Sequence, residues 1–155
     1  MTLSGSGTTT LGGKLLTITN GSTTFSGAIN GTSGQLTISG GTETLSGNNG
    51  YTGATTINSG ATLALSTAGA IASSSSVAAN GTFDISAVTT SASIVTLSGS
   101  GTTTLGGKLL TITNGSTTFS GAMNGTSGQL TISGGTETLD RKSTRLNSSH
   151  TDISR

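Results

Sequence analysis

Serine and threonine are the abundant reactive side chains of this sequence, 26 and 34 of its 155 residues. A hydroxyl becomes a catalytic nucleophile only with a base beside it. The single histidine, His150, stands outside the hydroxyl-rich part of the chain. Glycan cleavage requires two carboxyl groups on one face. Asp84 lies between Phe83 and Ile85, so strand alternation points it away from the core. Glu43 and Glu137 are copies of one position in an internal repeat and read as solvated strand residues. No catalytic residue is therefore expected.

Metal and cofactor chemistry finds no better footing. Cysteine is absent, which removes thiolate ligands and disulfides. Calcium-binding Gly-Asp repeats need an aspartate in each turn, and the "GGT" and "GGK" pairs lack one. The glycine-rich "GSGTTTLGGK" at 5–14 lacks the Gly-Lys-Ser/Thr ending of a phosphate loop and reads as a turn between strands. No metal or cofactor site is expected. Asn20, Asn30, Asn80, Asn114 and Asn124 each open an Asn-Gly-Ser/Thr triplet, which reads as an Asn-Gly turn rather than a glycosylation site. Tyr51, the one tyrosine, is expected to pack a loop against the next coil, and Lys14 and Lys108 to be solvated. The pairs Thr8/Thr10, Thr17/Thr19 and Thr42/Thr44 suggest an ice-binding ladder, but their uneven spacing argues against a straight one.

What would position such residues is a set of short strands. "LLTIT" (15–19), "TTF" (23–25), "QLTIS" (35–39), "TETL" (42–45), "ATTIN" (54–58), "ATLAL" (61–65), "TFDIS" (82–86) and "SIVTLS" (93–98) alternate apolar and polar residues. Each is bounded by glycine, Asn-Gly or Ser-Gly, where the backbone can turn. No window sustains a helical period. Residues 2–45 recur at 96–139 with one change, Ile29 against Met123. Short strands that turn this often fit a sandwich, a barrel or a solenoid. Near-identical segments stack most easily as successive coils, so a β-solenoid over 1–139 is the favoured reading. Coils of roughly 20–24 residues would give about six rungs and a rod about 30 Å long.

Charge supports no nucleic-acid partner. Lys14 and Lys108 against Glu43, Asp84 and Glu137 leave residues 1–139 at −1, while residues 140–155 carry +2. The basic balance thus comes from the last sixteen residues, and a binding stripe for phosphates is not present in the rest. No basic start leads into an apolar run, and no apolar stretch approaches the ~20 residues of a membrane-spanning helix.

Residues 45–65, "LSGNNGYTGATTINSGATLAL", resemble the autotransporter-associated β-strand repeat. Leu45, Ser46, Gly47, Asn49, Tyr51, Thr52, Gly53, Thr55, Thr56, Ile57, Gly60, Leu63 and Leu65 carry the resemblance. It implies a right-handed parallel β-helix belonging to the passenger of a bacterial surface protein, often an adhesin. It also implies an extracellular location and a parent chain joined to an outer-membrane barrel. The ligand would be an unidentified surface or matrix component. A secreted structural array is the alternative, with ice-binding and glycan-cleaving β-helices behind it.

Two expectations concern the ends. "DRKSTRLNSSH" replaces the "SGNNGYTG" that follows the first repeat copy, and it resembles translated sequencing-adapter DNA. Residues 140–155 are therefore expected to be an unstructured artefactual tail in which Arg141, Lys142, Arg145 and His150 form no site, and which packs poorly or else covers the open end of the rod by opportunity. Met1 aligns with Val95 of the second copy, which suggests a start codon assigned inside a longer array. A rod with uncovered ends should also associate end to end.

Overall fold

The computed structural model describes residues 1–140 and the backbone of the strand Thr144–Leu146. The described chain is all-β without helix, and its strands stack in parallel as a β-solenoid of about seven turns. Numbered along the chain, the strands fall on three faces. Face I carries β1 (Thr8–Thr10), β4 (Ala28–Gly31) and β7 (Gly50–Tyr51), then β12 (Ser91–Ile94), β15 (Leu109–Ile112) and β18 (Gln129–Ile132). Face II carries β2 (Leu15–Ile18), β5 (Gln35–Ile38), β8 (Thr55–Ile57), β10 (Val77–Ala79) and β13 (Leu97–Ser98), and then β16 (Thr118–Phe119) and β19 (Thr138–Leu139). Face III is one seven-stranded sheet: β3 (Thr24–Phe25), β6 (Thr42–Leu45), β9 (Thr62–Thr67), β11 (Thr82–Val88), β14 (Thr102–Thr104), β17 (Ala122–Gly125) and β20 (Thr144–Leu146).

Most coils advance twenty residues: Thr8 pairs with Ala28, Thr24 with Thr44, Thr62 with Thr82 and Thr102 with Ala122. Some steps are shorter, as Leu36 on Thr55 and Ser91 on Leu109, and some longer, as Thr55 on Val77 and Asn48 on Ala70. Coils near the lower end of the expected range explain seven turns where six are expected. Inside the rod, apolar residues stack on their own kind. Ile18, Ile38 and Ile57 form one column, and Phe25, Leu45 and Leu65 another. All six are buried.

The alternating runs form strands where expected, with one split. "SIVTLS" divides into β12 and β13 as the chain turns from face I to face II. Strands that the alternation does not reveal are β1 and β4, their repeat copies β14 and β17, and β7 and β10. In the tail, Thr144–Leu146 pairs with β17. Residues 141–143 and 147–155, His150 included, lie outside the described residues.

Corners decide whether coils can approach. Gly7, Gly27 and Gly47 stack along one edge. A Cβ on Gly27 would come within 1.7 Å of the Gly7 carbonyl oxygen, and one on Gly47 within 2.1 Å of that of Gly27. Gly81, Gly101 and Gly121 repeat the arrangement higher up, with 2.0 Å separations at the last two. These are clashes with backbone and cannot be relieved by a rotamer change. Gly47→Ala should lower the unfolding free energy by about 1–3 kcal/mol through overpacking. Gly7→Ala, with nothing within 4 Å of its added Cβ, should stay within about 0.5 kcal/mol of the parent. Urea unfolding of the two variants beside the parent chain measures the contrast.

Candidate functional site

The motif at 45–65 builds a polar knot inside the rod, and its geometry shows what those residues do locally. Asn49 is 1 % exposed. Its Oδ1 accepts from the Ile29 backbone N–H at 2.9 Å, in the coil below. Its Nδ2 donates to Gly47 O at 2.9 Å and to Ala70 O at 3.0 Å, the latter in the coil above. One amide side chain thus joins three successive rungs at a corner of the solenoid, on face I. Tyr51, fully buried, places its hydroxyl 2.7 Å from Thr55 Oγ1, which lies 2.8 Å from Ser74 Oγ. Ser74 Oγ is also within reach of the carbonyls of Gly53 and Ser76, at 2.9 and 3.0 Å. Burial pushes the Tyr51 phenol well above its ordinary value, with the Thr55 bond opposing. The phenol therefore stays neutral and serves as a hydrogen-bonding hydroxyl. This chain of hydroxyls has no base and no route to solvent through its buried members, so it ties coils together.

No family model, curated protein or solved structure matches this chain. The chemistry has to be read from its own side chains.

The two repeat glutamates correct the sequence reading. Glu43 is fully buried and Glu137 nearly so, where solvated side chains are expected. The reason lies in strand parity: Glu43 and Leu45 point the same way on β6, and Leu45 is core. In each copy a threonine stands beneath the carboxyl. Thr23 Oγ1 lies 2.6 Å from Leu3 O and 3.4 Å from Glu43 Oε2. Thr117 Oγ1 contacts Leu97 O and lies 3.1 Å from both Glu137 oxygens. Each threonine hydroxyl has one proton to share between the carbonyl and the carboxyl that accepts from it, and the shorter contact to the carbonyl leaves the carboxyl weakly compensated for its burial. Glu43 Oε1 is buried without a partner, which likewise favours the uncharged form. Burial is the largest cause raising both carboxyls above their ordinary value. The threonine hydroxyls and nearby backbone pull less strongly the other way.

The remaining candidates lie apart. Asp84 sits half-buried on the outer side of β11, as its alternation requires, and accepts from Ser86 N at 2.8 Å where the β9–β11 register slips. Glu43 and Asp84 thus occupy opposite sides of face III and cannot act on one glycosidic bond. Among the described residues no three acidic or histidine side chains converge. Lys14 is exposed as expected, whereas Lys108 is half-buried and donates to Thr89 O at 3.3 Å. Asn20, Asn80 and Asn114 lie exposed in turns. Asn30 and Asn124 instead belong to β4 and β17, and the chain turns after them at Ser33 and Ser127, both with positive φ.

The threonines also depart from expectation. Thr42, Thr62, Thr82 and Thr102, each twenty residues from the last, stand directly above one another on face III. The neighbouring column runs Thr24, Thr44, Ala64, Asp84, Thr104 and Asn124. One column is a ladder and the other is broken by a methyl and a carboxylate. The two-column array that would order a sheet of water is absent from this face.

Two outcomes follow. Asn49→Ala strands the buried Ile29 N–H and should cost about 1–3 kcal/mol, read from thermal melts. For the glutamates the sign follows from linkage: an acid whose folded value is raised stabilises fully below the ordinary carboxyl value of 4.5. That stability is lost as pH rises through the folded value. The parent chain should therefore melt at lower temperature at pH 8 than at pH 4, after correction for other groups. The double variant Glu43→Gln, Glu137→Gln should flatten that dependence and be the more stable of the two at pH 8.

Proposed function

We propose that this chain is a non-catalytic structural or adhesive segment of a bacterial surface or secreted passenger of the autotransporter type. The observation that carries the reading is the use of the motif residues. Asn49, Tyr51 and Thr55 are spent on joining rungs, so the signature that resembles the passenger repeat is a building instruction. The outer columns are mostly threonine, serine, asparagine and alanine, which suits a rod that stays soluble while displaying long flat sheets. The polar atoms best placed for chemistry are buried, which supports a non-catalytic role.

A secreted structural array is the second reading, and the stacking of like side chains from coil to coil, which suits a repetitive rod, favours it. Antibody labelling of intact cells that make the parent protein tests the proposal. Labelling without permeabilisation, lost after protease treatment of whole cells, is expected for a surface passenger. Signal only in the culture medium as high-mass assemblies would favour the array, and signal only after permeabilisation would sink both.

A further inference from the structure

Faces II and III run unbroken through the middle of the rod, as β8–β10–β13 and as β6–β9–β11–β14. Face I does not. Its strands β7 and β12 belong to separate sheets, with the single bridge from Asn48 to Ala70 between them. The strand that would complete face I is missing from the chain between β9 and β10. Residues 68–76, "AGAIASSSS", are the longest run outside strands among the described residues. Described coils lie on both sides of this run, so the gap belongs to the interior of the rod. The sequence explains it: four serines in succession carry no apolar alternation, and serine favours turns. The chain closes a tight turn there, with Ser74 N–H donating to Ile71 O at 3.0 Å.

This turn is anchored on its inner side and untied on its outer side. Ile71 is buried in the core, and Ser74 ends the buried hydroxyl chain from Tyr51. Ala72, Ser73 and Ser75 are exposed. Among the described residues neither Ala72 nor Ser73 makes a backbone hydrogen bond, so the peptide bond joining them is tied to no other coil. Tight turns elsewhere, such as the one closed by Ala61 N–H on Asn58 O, sit directly between paired strands and cannot be drawn out without opening a sheet. Exposed tips of small residues are where proteases cut. We propose that Ala72–Ser73 is a proteolytic processing site for an endopeptidase with a small S1 pocket, and that the cut rod stays in one piece. Water adds across the bond between Ala72 C and Ser73 N, leaving a carboxylate on Ala72 and an amino group on Ser73. Cutting requires Ile71 and Ser74 to leave the interior while faces II and III stay paired, which is a local opening. The two pieces then remain interlocked: β9 of the first pairs with β11 of the second, and β10 of the second pairs with β8 of the first. The proposal goes beyond the structural or adhesive reading and does not depend on it.

Pancreatic elastase, whose S1 pocket is small, serves as the probe. In native buffer the first cut within residues 1–140 should fall between Ala72 and Ser73, read by mass spectrometry. The cut chain should keep the circular dichroism of the parent and sediment as one particle. Ala72→Pro places proline at the second position of the turn, where its fixed φ fits and no N–H bond is lost. Cutting at that bond should stop while the melting temperature is kept. Ser74→Ala strands the Thr55 hydroxyl and loosens the turn, and should speed cutting by roughly fivefold to a hundredfold. In parent and Ser74→Ala alike the rate should change little in dilute urea, because a local opening exposes little surface. A parent chain that is not cut, or is cut first elsewhere in those residues, would overturn the proposal. So would pieces that separate in native buffer, a rate that climbs with urea as steeply as global unfolding, or equal rates for Ser74→Ala and the parent.

Discussion

Every feature of this rod answers to one constraint: each coil must lie ~4.8 Å above the last, in register, all the way round. Along the faces the constraint is easily met, because parallel pairing sets like beside like, and isoleucine, leucine and phenylalanine columns pack well. At the corners it is severe. The backbone of one coil passes so close to the next that a single methyl group would collide with a carbonyl oxygen, as at Gly27, Gly47, Gly101 and Gly121. The richness in glycine is therefore a packing requirement at the corners. A flexible linker of similar composition would have no such spacing to satisfy.

The same constraint gives the long repeat an unexpected placement. The copies start 94 residues apart while coils advance about twenty, so the second copy does not return to the face of the first. "TTT" lies on face I as β1 and on face III as β14; "LLTI" moves from face II to face I, and "TF" from face III to face II. The copies are displaced by fourteen faces, counting the Asn48–Ala70 pairing as one. One sequence thus serves on any of three faces, which means that the faces are nearly equivalent environments. The equivalence is imperfect. Thr103, set between Phe83 and Met123 in its column, is buried with its hydroxyl unpartnered, while its counterpart Thr9 is half-buried at the rod's end.

How far the sequence revealed this depends on the strength of local alternation. "TETL" and "QLTIS" name their strands because β-branched residues and leucine alternate with polar ones. "AING" and "VAA" carry too few large side chains to declare a period, and "GY" is too short for one, so β4, β10 and β7 are legible only from the rungs they pair with. The inward glutamates are legible in the same way. In "TETL", Glu43 shares parity with Leu45, and the same rule that correctly turns Asp84 outward turns Glu43 inward. The cost of burying a carboxyl argues for water, and at this position the alternation prevails. The threonine column on face III shows the opposite limit. Thr42, Thr62, Thr82 and Thr102 become a ladder only once the coil length is known, and the 94-residue repeat concealed that length.

The buried polar groups then acquire a role that hydrophobic columns cannot fill. If every rung carried only aliphatic residues, slipping one coil against another by a whole turn would preserve nearly all contacts, since "LLTI" and "QLTI" are interchangeable neighbours. Such a sequence would specify a solenoid without specifying which coil lies on which. Asn49 breaks the degeneracy. Its amide is matched to Ile29 N–H below and to Ala70 O above, and a slip would leave a buried amide and a buried N–H unsatisfied together. Tyr51, Thr55 and Ser74 repeat the lock one corner further on. The motif that stands out in the sequence is therefore the part of the chain that fixes register, and the aliphatic repeats around it supply the stability that makes a fixed register worth keeping.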